Sequence, residues 1–244
     1  MLYVGDEPIA GAHEALAELR ALGGVRLLTN TTSRSRRNVV EHLQELGFGV
    51  SEEEVLTPAA MAVRHCAEHG LSSVRLLVSE RLREDLAGLE GHIGERPDAI
   101  ILGDLGEGFT PEVLNSAFRD LMDGAQLLAL QHNRYWRRAD GLALDVGAYS
   151  AALEYASARE ATVLGKPSPE FFRAAMADLG VEAAVMVGDD AEADVGGAMA
   201  AGLPGVLVRT GKYRADALTA RITPTAIVDS ITDVPALLAR MPVA

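Results

Sequence analysis

The sequence predicts an α/β protein with a doubly wound, parallel-sheet core and a second α/β domain inserted into it. Three observations predict this. Short apolar strands alternate with amphipathic helices along nearly the whole chain, the pattern of parallel sheets covered by helices. The alternation is too long for one small sheet. The residues suited to chemistry fall in two groups, Thr29-Asn30 early and Lys166 with Asp189 to Asp194 late. If the groups meet, the segment between them must leave the first domain and return, which predicts a core at residues 1–70 and 160–244 and an insertion at 71–159.

The elements follow in order. Ala12, Ala15, Leu16, Leu19 and Leu22 recur at helical spacing and stop at Gly23-Gly24. Val25 to Thr29 is a short strand. Ser35 to Leu46 is an amphipathic helix ending at Gly47, and Ser51 with Glu54 fits a capping box. Thr57-Pro58 is an N-cap followed by proline at the first helical position. Strand, helix, strand, helix and strand then read over Val74–Val78, Arg81–Leu89, Ala99–Leu102, Pro111–Met122 and Gln126–Leu130. Asn133 to Gly147 is polar and reads as loop, and Ser150 to Ala158 as helix. After a strand at Ala161–Leu164, Ser168-Pro169-Glu170 opens a helix to Leu179. Ala184–Gly188, Gly205–Val208 and Ala226–Val228 read as strands, with helices over Asp194–Ala201 and Val234–Arg240. Asp6 and Glu7 read as turn residues before Pro8.

Composition narrows the function classes. At 244 residues with 48% hydrophobic residues, the chain can bury a large core. A net charge of -13 disfavours general binding to nucleic acid or an anionic membrane, but not a small phosphorylated ligand. The single cysteine, Cys66, excludes an internal disulfide and reads as a small buried hydrophobe in a helix. No membrane-span-length apolar run or leader pattern is present, so the expectation is a soluble cytoplasmic protein. The only lysines are Lys166 and Lys212 in a chain rich in arginine, and Gly165 and Pro167 around Lys166 point to a fixed ammonium.

The strongest chemical signal is Gly188-Asp189-Asp190 followed by Asp194. A strand end puts Asp189 at the carboxyl edge of a sheet, and Asp194 in the next turn can face the same point. Hard carboxylate oxygens suit Mg²⁺, which takes its remaining ligands from water and phosphate. A helix N-cap accounts for one or two of these acids but not for all three with a glycine before them. Thr29-Asn30 at a strand end can bind phosphate oxygens or simply cap the following helix. Lys166 can neutralise phosphate and the acid cluster, or be a solvated loop residue. No G-x-G-x-x-G follows a strand with an acid beyond it, which disfavours dinucleotide binding.

Taken together, the motifs resemble the haloacid dehalogenase-like phosphatases with a large α/β cap inserted after the second motif (subfamily IIA). The resemblance rests on Thr29-Asn30-Thr31-Thr32, Arg134-Tyr135-Trp136 with Asp140-Gly141, and Gly165-Lys166-Pro167-Ser168-Pro169-Glu170. It rests equally on Gly188-Asp189-Asp190 with Asp194-Val195-Gly196-Gly197, and on Val208-Arg209-Thr210-Gly211-Lys212. It implies a Rossmann-like core and a magnesium-dependent phosphatase using an aspartyl-phosphate. It implies that Thr29, with Asn30 beside it, holds the transferring phosphoryl group. Lys166 stabilises charge on nucleophile and phosphate. Asp189 and Asp190 form the metal group, Asp189 as direct ligand, and Asp194 orients water, metal or Lys166. Cap positions Asn133, Arg134, Asp145 and Gly147 select the substrate, and the cap can support a homodimer.

One departure stands out. The family's nucleophilic aspartate ends the first strand, and Leu2-Tyr3 matches only the residues that follow that signature. The expectation is that the full-length form begins upstream and that the chain as given is inactive. The alternative is a non-catalytic phosphate-binding or interaction protein that has lost its nucleophile.

Overall fold

The computed structural model describes residues 1–89, 91, 96–138, 140–219 and 221–241. Its contacts divide the chain into two compact units. One comprises Met1–Leu28, Val40–Val55 and Lys166–Ala244, the other Thr29–Val39 and Leu56–Gly165.

The first unit opens with a hairpin in which β1 (Tyr3–Val4) pairs antiparallel with β2 (Glu7–Pro8). Val4 pairs with Glu7, so only Gly5 and Asp6 form the turn, and Glu7 is a strand residue rather than the turn residue its context suggests. Helix α1 (Ala12–Leu22) buries Ala12, Ala15 and Leu16, the stripe its apolar spacing predicts. Strand β3 (Leu27–Leu28) and helix α2 (Arg36–Glu45) follow, with Val40 and Leu43 of α2 buried. The Ser51–Glu54 capping box forms on a single 3₁₀ turn, ahead of β4 (Val55–Leu56).

The second unit is organised by a parallel sheet. Helix α3 (Pro58–His69) is started by the Thr57 side chain, which accepts from the Ala60 N–H, and ends at Gly70. Ala59, Ala62 and Cys66 pack with β5 (Val74–Leu77), so the small face of α3 joins it to the sheet of this unit. Strand β6 (Ala99–Leu102), helix α4 (Pro111–Met122) and strand β7 (Gln126–Ala129) come next. Then come β8 (Tyr135–Arg138), β9 (Gly141–Leu144), helix α5 (Val146–Ser157) and strand β10 (Thr162–Val163). The sheet runs β10-β7-β6-β5, all parallel, with Val74 opposite Ala99 and Ala99 opposite Gln126. Alternate residues feed two separate cores. Ala99 and Ile101 join Leu82, Leu86 and Leu128, while Ile100 and Leu102 join Leu121, Leu127 and Leu153. A parallel sheet buried on both faces explains why these strands read as unbroken apolar runs.

Three elements of this unit differ from the sequence expectation. Glu80–Leu86 is a 3₁₀ segment, not a helix to Leu89. The Val74 N–H bonds the Leu89 carbonyl and the Gly91 N–H bonds that of Val74, so the chain is drawn to the sheet edge before another helical turn can form. The segment expected as loop holds the β8–β9 hairpin, with Tyr135 opposite Leu144 and Arg138 opposite Gly141. The signal that could have identified it is Asp140-Gly141, with Asp140 in the turn and Gly141, at φ 135°, the first residue of the returning strand. Helix α5 begins at Val146 because Asp145 caps it, four residues before the first expected position.

The first unit resumes with α6 (Pro169–Leu179), which buries Phe171 and Phe172 and ends at Gly180. Strand β11 (Met186–Gly188) leads through a π-helical turn, Ala191–Gly196, into α7 (Gly197–Ala200). The expected helix from Asp194 is therefore confined to α7. The Asp194 and Val195 N–H groups both donate to the Asp190 carbonyl, which widens the first turn. Strands β12 (Gly205–Val208) and β13 (Ala226–Val228) extend the parallel order β11-β12-β13, and α8 (Val234–Leu238) follows. No helix among the described residues is long and apolar enough to cross a membrane.

Candidate active site

The first unit gathers a carboxylate cluster around one buried ammonium. Asp190, after β11, caps the following turn, its Oδ1 accepting from the Glu192 N–H at 3.1 Å and the Ala193 N–H at 2.9 Å. That turn carries Asp194 back toward the strand end. Its Oδ2 accepts from the N–H groups of Asp189 and Asp190, both at 3.1 Å. Gly188 makes this return possible, since a Cβ there would overlap the Asp194 side chain.

Asp194 is 3% exposed and Lys166 is 8% exposed. Lys166 Nζ donates to Asp194 Oδ1 at 2.6 Å and to the Leu28 carbonyl at the end of β3 at 3.3 Å. The Lys166–Pro167 peptide is cis. Two buried charges are tolerated because each has an opposite charge and further hydrogen bonds. Asp189 is held differently. Its Oδ2 accepts from the Lys212 N–H at 2.6 Å, and its Oδ1 lies 3.8 Å from the Met1 amino group. The close approach requires Gly211, which has φ 58° and whose added Cβ would overlap the Asp189 carboxylate.

The other sequence candidates lie in the second unit, in two groups. The Thr29 N–H donates to the Leu56 carbonyl at 3.2 Å, and the Thr29 hydroxyl accepts from the Thr31 N–H at 3.1 Å. Asn30 lies against Gly165, where an added Cβ would stand 2.8 Å from Asn30 Oδ1 and 2.5 Å from the Leu130 carbonyl. The second group joins Asn133, Arg134, Asp145 and Gly147. Asp145 caps α5 through the Val146 N–H and accepts from the Gln131 side-chain amide. The Gly147 N–H donates to the Asn133 carbonyl at 3.0 Å, and the Asp145 N–H to that of Arg134 at 3.2 Å. Sequence reasoning did not single out Gln131, which is 2% exposed and whose side-chain oxygen accepts from the Asn133 N–H. A buried glutamine at a strand end was its only signal.

The donor set fits a hard cation sparingly. No group of three His, Cys, Asp or Glu side chains arranged to hold a metal occurs among the described residues. The Asp194 oxygens are committed to Lys166 and two backbone N–H groups, and Asp190 Oδ1 to the turn. Asp189 stands at the strand end, with Oδ2 on the Lys212 N–H and Oδ1 3.8 Å from the Met1 amino group. One carboxylate completed by water and phosphate oxygens is the coordination Mg²⁺ accepts.

A family model described as haloacid dehalogenase-like hydrolase matches residues 1–91, and one described as HAD-hydrolase-like matches residues 163–234. Bovine haloacid dehalogenase-like hydrolase domain-containing protein 2 is 44% identical over 217 residues, covering 88% of this chain and 82% of that protein. The chain belongs to the haloacid dehalogenase-like hydrolases. Rat phospholysine phosphohistidine inorganic pyrophosphate phosphatase is 45% identical over 215 residues, covering 86% of this chain and 78% of the relative. The crystal structure of glycerol phosphate phosphatase from Mycobacterium tuberculosis in complex with magnesium superposes with a TM-score of 0.85 at 31% identity. It covers 100% of this chain and 77% of that one. The fold is thus the Rossmann-like α/β fold of this hydrolase family, and the rat and mycobacterial relatives are named phosphatases.

Proposed function

We propose that this hydrolase is a magnesium-dependent phosphatase acting on small phosphoesters, phosphoamides or pyrophosphate through an aspartyl-phosphate. The observation that carries the reading is the Lys166 ammonium, buried between the Leu28 carbonyl and Asp194. A cation fixed in the interior is preorganised for the charge that develops when a phosphoryl group transfers. The phosphoamide and pyrophosphate classes come from the name of the rat relative.

In this reading an aspartate carboxylate attacks phosphorus, the leaving group departs, and water then cleaves the acyl phosphate. Thr29 and Asn30 hold phosphoryl oxygens, and Lys166 offsets charge on nucleophile and phosphate. Asp194 aims Lys166 through the 2.6 Å contact, and Asp189, with Asp190 beside it, holds the metal. Mg²⁺, when bound, polarises the phosphoryl oxygens. Residues 71–159 act as an inserted cap in which Asn133, Arg134, Asp145 and Gly147 select the substrate. A cap-mediated homodimer in the cytoplasm is the expected setting.

No residue of the 244-residue sequence matches the family nucleophile. We therefore expect these 244 residues alone not to turn over, and a variant given an aspartate-bearing strand ahead of them to be faster by a factor on the order of 10⁶. The test is a panel of p-nitrophenyl phosphate, glycerol phosphate, a phosphohistidine peptide and pyrophosphate, with Mg²⁺ or EDTA, on both forms. Failure of the extended form on every compound defeats the phosphatase reading. EDTA-insensitive turnover defeats the metal assignment, and activity in the 244-residue chain defeats the nucleophile argument.

A further inference from the structure

The Thr29–Ser35 loop is fastened at its far end by a segment distant in sequence. Helix α2 begins at Arg36, so the N–H groups of its first turn lack partners within the helix. The neighbouring Ser35 hydroxyl supplies one, accepting from the Asn38 N–H at 3.2 Å. The Arg36 N–H instead donates to Asp85 Oδ2 at 2.7 Å, across 49 residues of sequence. Two weaker ties run between the same segments, from Glu84 to the Arg37 guanidinium at 2.7 Å and from the Ser79 hydroxyl to the Ser33 carbonyl at 3.5 Å.

The segment that delivers Asp85 is itself rigid. Leu82 and Leu86 on either side are 0% exposed and belong to the core that includes Val78, Ile101 and Leu130. The loop is gripped elsewhere too. Thr32 is 4% exposed, in a setting where a Cβ added at Gly103 would stand 3.6 Å from its own Cβ. Ser35 is 0% exposed, and the Thr29 N–H is fixed by Leu56. A charged acceptor at a helix N-terminus is stronger than a neutral cap, and its direction fixes where the preceding loop enters the helix.

We propose that Asp85 is a positioning residue for the Thr29–Asn30 phosphate loop, acting through the Arg36 N–H, so that the segment after β5 sets phosphate affinity without touching phosphate. This rests on the reading that Thr29 and Asn30 hold phosphoryl oxygens. Small displacements of a phosphate-gripping group weaken binding steeply, whereas an ordinary cap alters only stability.

The experiment titrates the 244-residue chain with inorganic phosphate in magnesium buffer by calorimetry and follows amide hydrogen exchange over residues 29–39. Both are done for wild type, Asp85→Ala, Asp85→Asn and Glu84→Ala, with melting curves to fix the folded fraction. Asp85→Ala should weaken phosphate about tenfold and speed exchange of the loop. Asp85→Asn, which keeps an acceptor oxygen, should stay within about threefold, and Glu84→Ala, an exposed pair, should match wild type. Wild-type affinity in folded Asp85→Ala, or equal losses in Asp85→Ala and Glu84→Ala, overturns the proposal. Absence of phosphate binding by the wild type overturns the phosphate reading of Thr29 instead.

Discussion

Asp98 and Asp194 use the same local geometry for different ends. Asp98, just before β6, accepts from the N–H groups of Ser72 and Ser73 at 2.9 and 3.0 Å. Asp194, just after β11, accepts from those of Asp189 and Asp190 at 3.1 Å each. Each carboxylate takes two consecutive backbone donors at one end of a parallel sheet. Asp98 is exposed, and its own N–H and carbonyl bond Ser73 and Gln126, so it ties the starts of three strands. Asp194 is buried and directs its remaining oxygen at Lys166. The comparison teaches that the backbone clamp is general. Burial and an opposite charge are what convert it from a structural knot into a seat for a cation.

The comparison breaks most sharply on removal of the carboxylates. Asp194→Ala strands the Lys166 ammonium in the interior and should cost about 3–5 kcal/mol. Asp98→Ala exposes two N–H groups to water and should cost about 1 kcal/mol. Urea unfolding of both variants measures this, and equal losses would show that burial of the Lys166–Asp194 pair adds nothing to the shared clamp.

The difference between the two knots also explains how much was legible in the sequence. The strand Gly205–Val208 stands where its apolar run puts it, because burial against neighbouring strands demands continuous hydrophobicity, and the part-exposed Ala226–Val228 pairs beside it. The acids at Asp189 to Asp194 were legible as a group. The π turn that aims Asp194 backward was not, since it depends on two N–H groups sharing the Asp190 carbonyl. Lys166 stood out by composition, but its bond to the Leu28 carbonyl, 138 residues away, has no local signal. The attachment of α3 to the second unit follows from Ala59, Ala62 and Cys66, whose small side chains let a helix approach a sheet. Gly70 marks where that helix stops. Cys66, buried as expected, has its thiol pushed up by burial and then by Asp98, which suits packing rather than reactivity.

Glycines beside the two knots sharpen the contrast at a smaller scale. A Cβ on Gly188 would overlap the Cβ, Cγ and Oδ2 of Asp194, a side chain locked by Lys166 and two N–H groups. A Cβ on Gly91 would meet chiefly the Ser73 hydroxyl, which can rotate away. Gly188→Ala should therefore cost about 1–3 kcal/mol and Gly91→Ala within about 0.5 kcal/mol. Thermal melts of the pair decide it, and a tolerated Gly188→Ala would mean that the Asp194 clamp is loose.

The smallest effect is a pH dependence at Asp98. The Ser73 and then the Ser72 N–H hold its carboxyl below the usual carboxylate value, against a weak opposing effect of burial, with the Ser72 hydroxyl adding to the lowering. A depressed folded pKa means that the unfolded chain binds the proton more readily. The stabilisation is therefore complete above the unfolded value of about 3.9 and is lost as pH falls through the lower folded value. Asp98→Asn keeps an oxygen acceptor but cannot ionise. It should be less stable than wild type at pH 7, and the gap between their urea midpoints should close as the pH is lowered through the depressed folded value. A gap that is unchanged at low pH would assign the clamp to neutral hydrogen bonding. The ionised carboxylate would then matter at Asp194, where a cation faces it, and not at Asp98, where two backbone N–H groups and the Ser72 hydroxyl do.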